Sequence, residues 1–426
     1  MNRTAASFAS TSRTGYPWEV FRYQHSLVLF VPLIVGCSYY DDSLLEPKPT
    51  VFEDAGQEAS AEAGQDVALD NAIEVSDRDE PDTTIEDVEV IEVAEANETS
   101  VCQHARPPEP PTVSAGGGGI EFTVAVYDVD FGDIAGNPKE IGYDLDSRCT
   151  CLGEGSSCLR EAWATADACD GPDGRDNATG IMMTKLAALF GSFSSTEWSA
   201  NAKKGIWSML LRVRDYNGEA NDDRVRLEWF VPSQFSADKA DNDVEPVWDG
   251  SDAWPIRSES LEAVDGGEYS FEKPKYFDTH AYVTEGILVG SFPESVFQID
   301  DDYALDFTGS FITARIESTA QGWMLTEGLL ASRWALSSIL AQIGRLHLMN
   351  KPVCTDHIAY PELKREFCSY ADIYSGVGTP TTPCDSVSLG MRFEARPALL
   401  GTIIIKDPSE RFCDPSVDPA FDHCGN

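Results

Sequence analysis

Three stretches of this chain combine residue types at spacings that could do chemistry. The first is Asp170-Gly171-Pro172-Asp173-Gly174-Arg175-Asp176-Asn177, directly after Cys169. Oxygen-bearing side chains interrupted by glycine can cage a hard cation, and calcium takes about six to eight oxygens. Aspartate, glycine and proline are equally the residues of tight turns. The order is not that of an EF-hand, so cage and turn both fit, no metal ligand is assigned and no cofactor is expected. The loop Asp215–Asp223 is a weaker candidate of the same kind. The second stretch places Arg212, Arg214, Arg224, Arg226 and Glu228 on one face of a hairpin. Four guanidiniums could clamp a carboxylate or phosphate, or pair across strands with neighbouring acids. The third holds Trp248 and Trp254 in a turn-rich segment. Exposed, they would stack on sugar rings; buried, they would anchor a loop.

Signatures of catalysis are missing from the sequence. It has no Gly-x-Ser-x-Gly elbow, no His-Glu-x-x-His and no phosphate loop. A glycosidase needs only two carboxylates, which 72 Asp and Glu residues readily supply. Binding is therefore the leading expectation, a purely structural role the second and a carbohydrate-active enzyme the third. With 31 Lys and Arg the net charge is −41, which excludes nucleic acid and anionic lipid surfaces as partners.

The elements that would position these residues read as β-strands. Ile120–Tyr127 alternates apolar and polar residues. In Gly205–Asp215, Trp207, Met209, Leu211 and Val213 share a face; in Arg224–Val231, Val225, Leu227, Trp229 and Val231 do. This period of two predicts a hairpin with one buried and one solvated face. Leu305–Glu317 and Trp323–Arg333 predict a second hairpin turning at Ala320-Gln321-Gly322, with a bulge at Gly309 where the apolar phase shifts. Ser386–Glu394 puts Val387, Leu389, Met391 and Phe393 on one side, and Gly286–Phe292 and Leu399–Ile405 are further short strands. Helices are expected at Ile181–Phe190, over Leu336–Leu346 and from Pro361 to Phe367. The fold class expected is mainly β: a sandwich of antiparallel sheets over residues 119–426, with disulfide-linked loops, few short helices and a helical insertion near 334–372.

Ahead of that domain the composition changes. Residues 38–118 hold 21 acids against 3 bases and read as a disordered acidic tether. Upstream, an apolar run from Ser26 to Gly36 follows Arg22 and ends at Cys37. It is too short to span a bilayer, which takes about 20 residues, and has the layout of an export signal. Ile34-Val35-Gly36-Cys37 resembles the bacterial lipobox, and Cys37-Ser38-Tyr39-Tyr40 resembles the opening of predicted outer-membrane lipoproteins of myxobacteria. The resemblance covers residues 26–45. It implies a signal peptide over 1–36, lipid on Cys37 and, from Ser38, passage to the outer membrane, facing periplasm or cell surface. The partners it leaves open are the membrane, through the lipid, and an envelope glycan or protein.

Of 11 cysteines, ten remain after Cys37. An even number in an exported chain points to disulfides. Proximity favours Cys354–Cys368 and Cys413–Cys424. Cys149, Cys151, Cys158 and Cys169 could alternatively form a four-thiolate zinc site, although an oxidising compartment disfavours it.

Overall fold

The computed structural model describes residues 102–425, apart from 113–115, 135, 168, 190, 242, 265, 300–302 and 406–410. Cys37, the signal-like run and the acidic stretch through Val101 lie outside the described residues. In chain order the strands are β1 (Ile120–Asp130), β2 (Leu210–Tyr216), β3 (Asp222–Phe230), β4 (Ala253–Arg257), β5 (Leu261–Ala263), β6 (Tyr269–Pro274) and β7 (Tyr276–Thr284). They continue with β8 (Ile287–Gln298), β9 (Ala304–Thr319), β10 (Gly322–Ala335), β11 (His347–Leu348), β12 (Lys351–Pro352) and β13 (Ser386–Ile404). The helices are α1 (Ala178–Leu189), α2 (Ser195–Lys203), α3 (Leu336–Ile343) and α4 (Tyr360–Cys368).

The fold is mainly β, as expected, but it is a barrel rather than a sandwich. Eight strands follow one another in the order β1-β2-β3-β7-β8-β9-β10-β13, and β13 returns to pair with β1. Ala125 in β1 stands opposite Leu210 on one side and Arg396 on the other, both pairings antiparallel. Neither edge of β1 is left open, and closure of this kind removes the free edges a sandwich must protect. Alternation in each strand is the same in a sandwich as in a barrel; only the long-range β1–β13 pairing separates the two.

The buried face of every barrel strand enters one apolar cluster. It includes Val124 and Val126 of β1, Leu211 and Val213 of β2, Trp229 of β3, Phe292 of β8, Ile312 of β9 and Met391 of β13. Trp207 and Trp229, at 3% and 1% exposure, are the two tryptophans the hairpin pattern placed in a core. An eight-stranded barrel has an interior just wide enough for side chains to fill, and these side chains fill it. Gly309 has φ +58° and sits where the β9–β10 register slips between Ala331 and Arg333, so the expected bulge is present. The strands expected at Ser386–Glu394 and Leu399–Ile405 are one continuous element, β13.

Three excursions pack against the barrel. Residues 131–209 carry α1 and α2, whose Met182, Met183 and Trp198 pack on the main cluster. Ser195 and Ser199 of α2 accept hydrogen bonds from the backbone N–H groups of Phe131 and Val129 at the end of β1. The segment after β3 returns as β4, which runs parallel to the far end of β13 and places Trp254 and Ile256 over Leu210 and Phe230. The third excursion contains α3 and α4, whose Leu340, Ile343, Tyr360 and Leu363 make a separate small core.

Five disulfides fasten these covers: Cys102–Cys149, Cys151–Cys169, Cys158–Cys384, Cys354–Cys413 and Cys368–Cys424. The pairs favoured by proximity are not formed; both partners cross to the C-terminal tail. The four cysteines of the zinc alternative are all in disulfides. Cys149 and Cys151 each pair elsewhere, as their spacing requires. Residues 102–112, part of the tether by composition, lie on the domain. Beyond the disulfide at Cys102, Ala105 donates to the Asp173 carbonyl at 2.6 Å and its own carbonyl accepts from Asp144 N–H at 2.8 Å.

Candidate ligand groove and acidic cluster

A groove of about 760 Å³ opens on the outer wall where β1, β13, β10, β9 and the start of β8 meet the cover. Its position follows from irregular pairing. The β1–β13 register slips between Val126 and Asp128, and β10 slips against both neighbours between Leu325 and Leu329. Bulges bend strands and re-aim side chains. At the centre of the β10 irregularity Glu327 adopts φ +50°, a left-handed conformation that costs a non-glycine residue about 1–2 kcal/mol. Its carboxylate stands at the groove and pairs with Arg315 at 3.0 Å.

The floor is apolar: Leu329 and Ile287 are half-buried there, above the buried Val129, Ile141 and Phe393. Ile134, 62% exposed, and Pro108 form part of the rim. Tyr143 also lines the groove, but its hydroxyl is tied to Thr313 at 2.8 Å and burial pushes its pKa up. Charged groups ring the floor. Asp128 is held by Lys203 at 2.9 Å, Arg175 donates to the Gly142 carbonyl at 2.7 Å, and Arg392 stands 3.9 Å from Asp130. Among the described residues Glu140 and Glu394 form no ion pair, although both line the groove. Such a site can hold an amphipathic ligand.

Behind the cover lies a second feature, five aspartates drawn together from three parts of the chain. Asp144, Asp146 and Asp176 each place an oxygen within 4.8 Å of the others. Asp170 and Asp372 are near enough to be felt electrostatically. Burial raises the pKa of Asp372 to about 6 against opposing hydrogen bonds from Ser388, and raises that of Asp170 to about 8. Burial and then the neighbouring carboxylates push Asp176 up as well. Arg160 and Arg333 are the cations beside them, and burial lowers the pKa of both. The carboxylates are largely engaged by the chain: Asp144 by His104 and the Arg148 N–H, Asp146 by Ser157 and the same N–H, Asp176 by the Leu145 N–H. The cluster therefore carries no metal assignment.

The residues singled out from sequence are placed as follows. The 170–177 loop does not close on itself as a cage. Asp170 accepts from Thr150 N–H, Asn177 accepts from Gly180 and Gly390 N–H, and only Asp176 joins the acidic trio. Arg212, Arg214 and Arg226 do converge, on Glu228. That carboxylate is fully buried and lies 2.5 Å from both Arg212 and Arg226, while Arg214 pairs with Glu272 at 2.7 Å. Arg212 is 4% exposed and also donates to the Phe271 carbonyl. Arg224 is apart and exposed. Trp254 is fully buried, and Trp248 is half-buried with its indole N–H donating to the Lys203 carbonyl. Their rings are 5.7 Å apart inside the β4 cover. The groove was not foreseen, although Arg392 and Glu394 can be read from sequence as the outward face opposite Met391 and Phe393. Comparison with known protein families, with curated proteins and with solved structures finds no match.

Proposed function

We propose that the chain is an exported, lipid-anchored binding protein of the bacterial envelope, and that its ligand seats in the groove across β1, β13 and β10. The observation that carries the binding role is the groove itself: an apolar floor inside a charged rim, at a place where three strands depart from regular pairing. Ligand sites are concave, largely apolar and edged by a few polar groups. The anchoring half of the reading rests on the lipobox-like residues ending at Cys37 and the Ser38 that follows, and it places the domain at the outer membrane. A protein ligand is favoured over a glycan because Trp248 and Trp254, which would have stacked sugars, are packed into the cover.

The test is a photo-activatable residue introduced at Ile134 in the full-length chain in living cells. The expected result is one discrete adduct that is missing when the same residue stands at Val377, which is 99% exposed. Identical adduct patterns from the two positions, or none from Ile134, would overturn the binding role and leave the structural one.

A further inference from the structure

Resting on that reading of the groove, we infer that its ligand is an extended polypeptide segment carrying lysine or arginine beside aliphatic side chains. The first argument is charge. Carboxylates of Asp128, Asp130, Glu140, Glu327 and Glu394 line the groove, against the guanidiniums of Arg175 and Arg392. Asp128 and Glu327 are neutralised by Lys203 and Arg315, and Asp130 has Arg392 near it. Glu140 and Glu394 are left without a cation among the described residues. An acidic segment entering here would be repelled, whereas a basic one supplies the missing partners.

The second argument is the floor. Lys and Arg lay their methylene stems along apolar surface while the charged head stays at a polar rim. The half-buried Leu329 and Ile287 and the exposed Ile134 and Pro108 offer that surface, and Glu140 and Glu394 edge it. A pyranose would want an aromatic face, but Tyr143 and Phe393 are 8% and 3% exposed. The third argument is length. The groove crosses five adjacent strands, from Ile287 in β8 to Asp130 in β1. Neighbouring strands lie about 4.8 Å apart, so its span is about 19 Å, the length of about six extended residues. A small amine would leave most of that unused. The net charge of −41 also steers basic partners toward the protein, an effect that salt weakens.

The experiment uses the full-length protein and three fluorescein-labelled decapeptides, read by anisotropy at physiological salt. One alternates Lys and Leu, one Glu and Leu, one Lys and Ser. The Lys/Leu peptide is expected to bind saturably, and the Lys/Ser peptide at least about tenfold more weakly because it cannot use the floor. Glu140→Gln with Glu394→Gln should raise the Lys/Leu Kd about tenfold. Glu262→Gln with Glu362→Gln, exposed carboxylates on other elements, should leave it unchanged. Equal binding by the groove variant and the wild type would overturn the inference, since attraction would then be to overall charge. Preference for the Glu/Leu peptide, lost on Arg392→Gln, would also overturn it while leaving the groove a binding site. If no peptide binds and the residue at Ile134 yields no adduct, both readings fall.

Discussion

Stability of this protein should fall as pH rises from 5 to 8, the reverse of the usual behaviour of an acidic protein near its acid limit. The cause is the buried carboxylate cluster. Asp372 is half-buried among other carboxylates, with a pKa raised from 3.8 to about 6. A raised value means the folded state holds its proton more tightly than the unfolded chain does. Its contribution to stability is complete below pH 3.8 and is lost as pH rises through about 6. At about 1.4 kcal/mol per unit, the loss is about 3 kcal/mol. Asp170, raised to about 8, extends the decline to that pH, and Asp146 and Asp176 shift in the same direction. Arg160 and Arg333 face the same cluster and limit its repulsion. On the acid side, the carboxylates of Asp128, Asp167 and Asp422 are held below their ordinary range, partly or mainly by lysine partners, so they lose stability as pH falls below 4. The maximum therefore lies between about pH 4 and 5. For a folded unit of roughly 320 residues the unfolding entropy is near 0.7 kcal/mol/K, so the Asp372 part alone moves the melting temperature by about 4 °C between pH 4 and 8. The assay is thermal unfolding of the oxidised protein in chelating buffers across that range. Asp372→Asn should melt higher than wild type at pH 8 and match it at pH 4. A wild type that melts higher at pH 8 than at pH 5, or an Asp372→Asn effect independent of pH, would refute the argument.

Two further outcomes can be checked directly. Glu228→Ala strands Arg212 in a buried site without its carboxylate and should cost about 3–5 kcal/mol, measured by denaturant unfolding, whereas Arg224→Ala should change stability by less than about 0.5 kcal/mol. Cys37→Ser should release the protein from membranes and abolish lipid labelling; in that released form, limited digestion with a protease of broad specificity should leave a resistant core that begins near Cys102 while its disulfide is intact and nearer Gly116 once Cys102→Ser removes it.

Much of the fold was legible because period-two patterning is local. Val387, Leu389, Met391 and Phe393 were assigned to one buried face, and they share one core. Gly309 was assigned a bulge from a phase shift alone, and its φ of +58° bears that out. Closure was not legible, because nothing within β1 or β13 records that Ala125 meets Arg396 across the whole chain. Sequence proximity misled for the disulfides: Cys354 and Cys368 flank a helix and each reaches the tail instead. Three of the four arginines read onto one face, Arg212, Arg214 and Arg226, meet at Glu228 while Arg224 stands apart, and the burial of Arg212 depends on β6, whose Phe271 carbonyl accepts from it. The acidic cluster was half visible. Asp176 lay in the expected loop, and Tyr143-Asp144-Leu145-Asp146 alternates in a way that puts both aspartates on one side. Asp372 arrives from a separate excursion.

Why the candidate site lies on the wall rather than in the lumen follows from strand number. Eight strands enclose little more than the side chains that point inward. Here Trp207, Trp229, Phe292 and Phe307 take that space, so specificity has to be built outside. The wall is then a resource shared among covers. The β4 excursion takes the β2–β3 face, α3 and α4 build their own small core, and Ala105, Tyr143 and Leu145 of the disulfide-bonded cover lie over Phe311 of β9 and Leu329 and Ala331 of β10. Where β1 and β10 slip in register beside β13, the wall is uneven, and the edge of that last cover leaves the groove beside Tyr143 and Arg175. Cys102–Cys149, Cys151–Cys169 and Cys158–Cys384 all fasten the same cover. Three crosslinks on one cover restrict its motion, and that cover carries the rim residues Ile134 and Glu140 opposite Arg392 and Glu394 of β13. A preorganised rim lowers the entropic cost of binding an extended partner, which is the role expected of a cover that forms one side of a ligand groove.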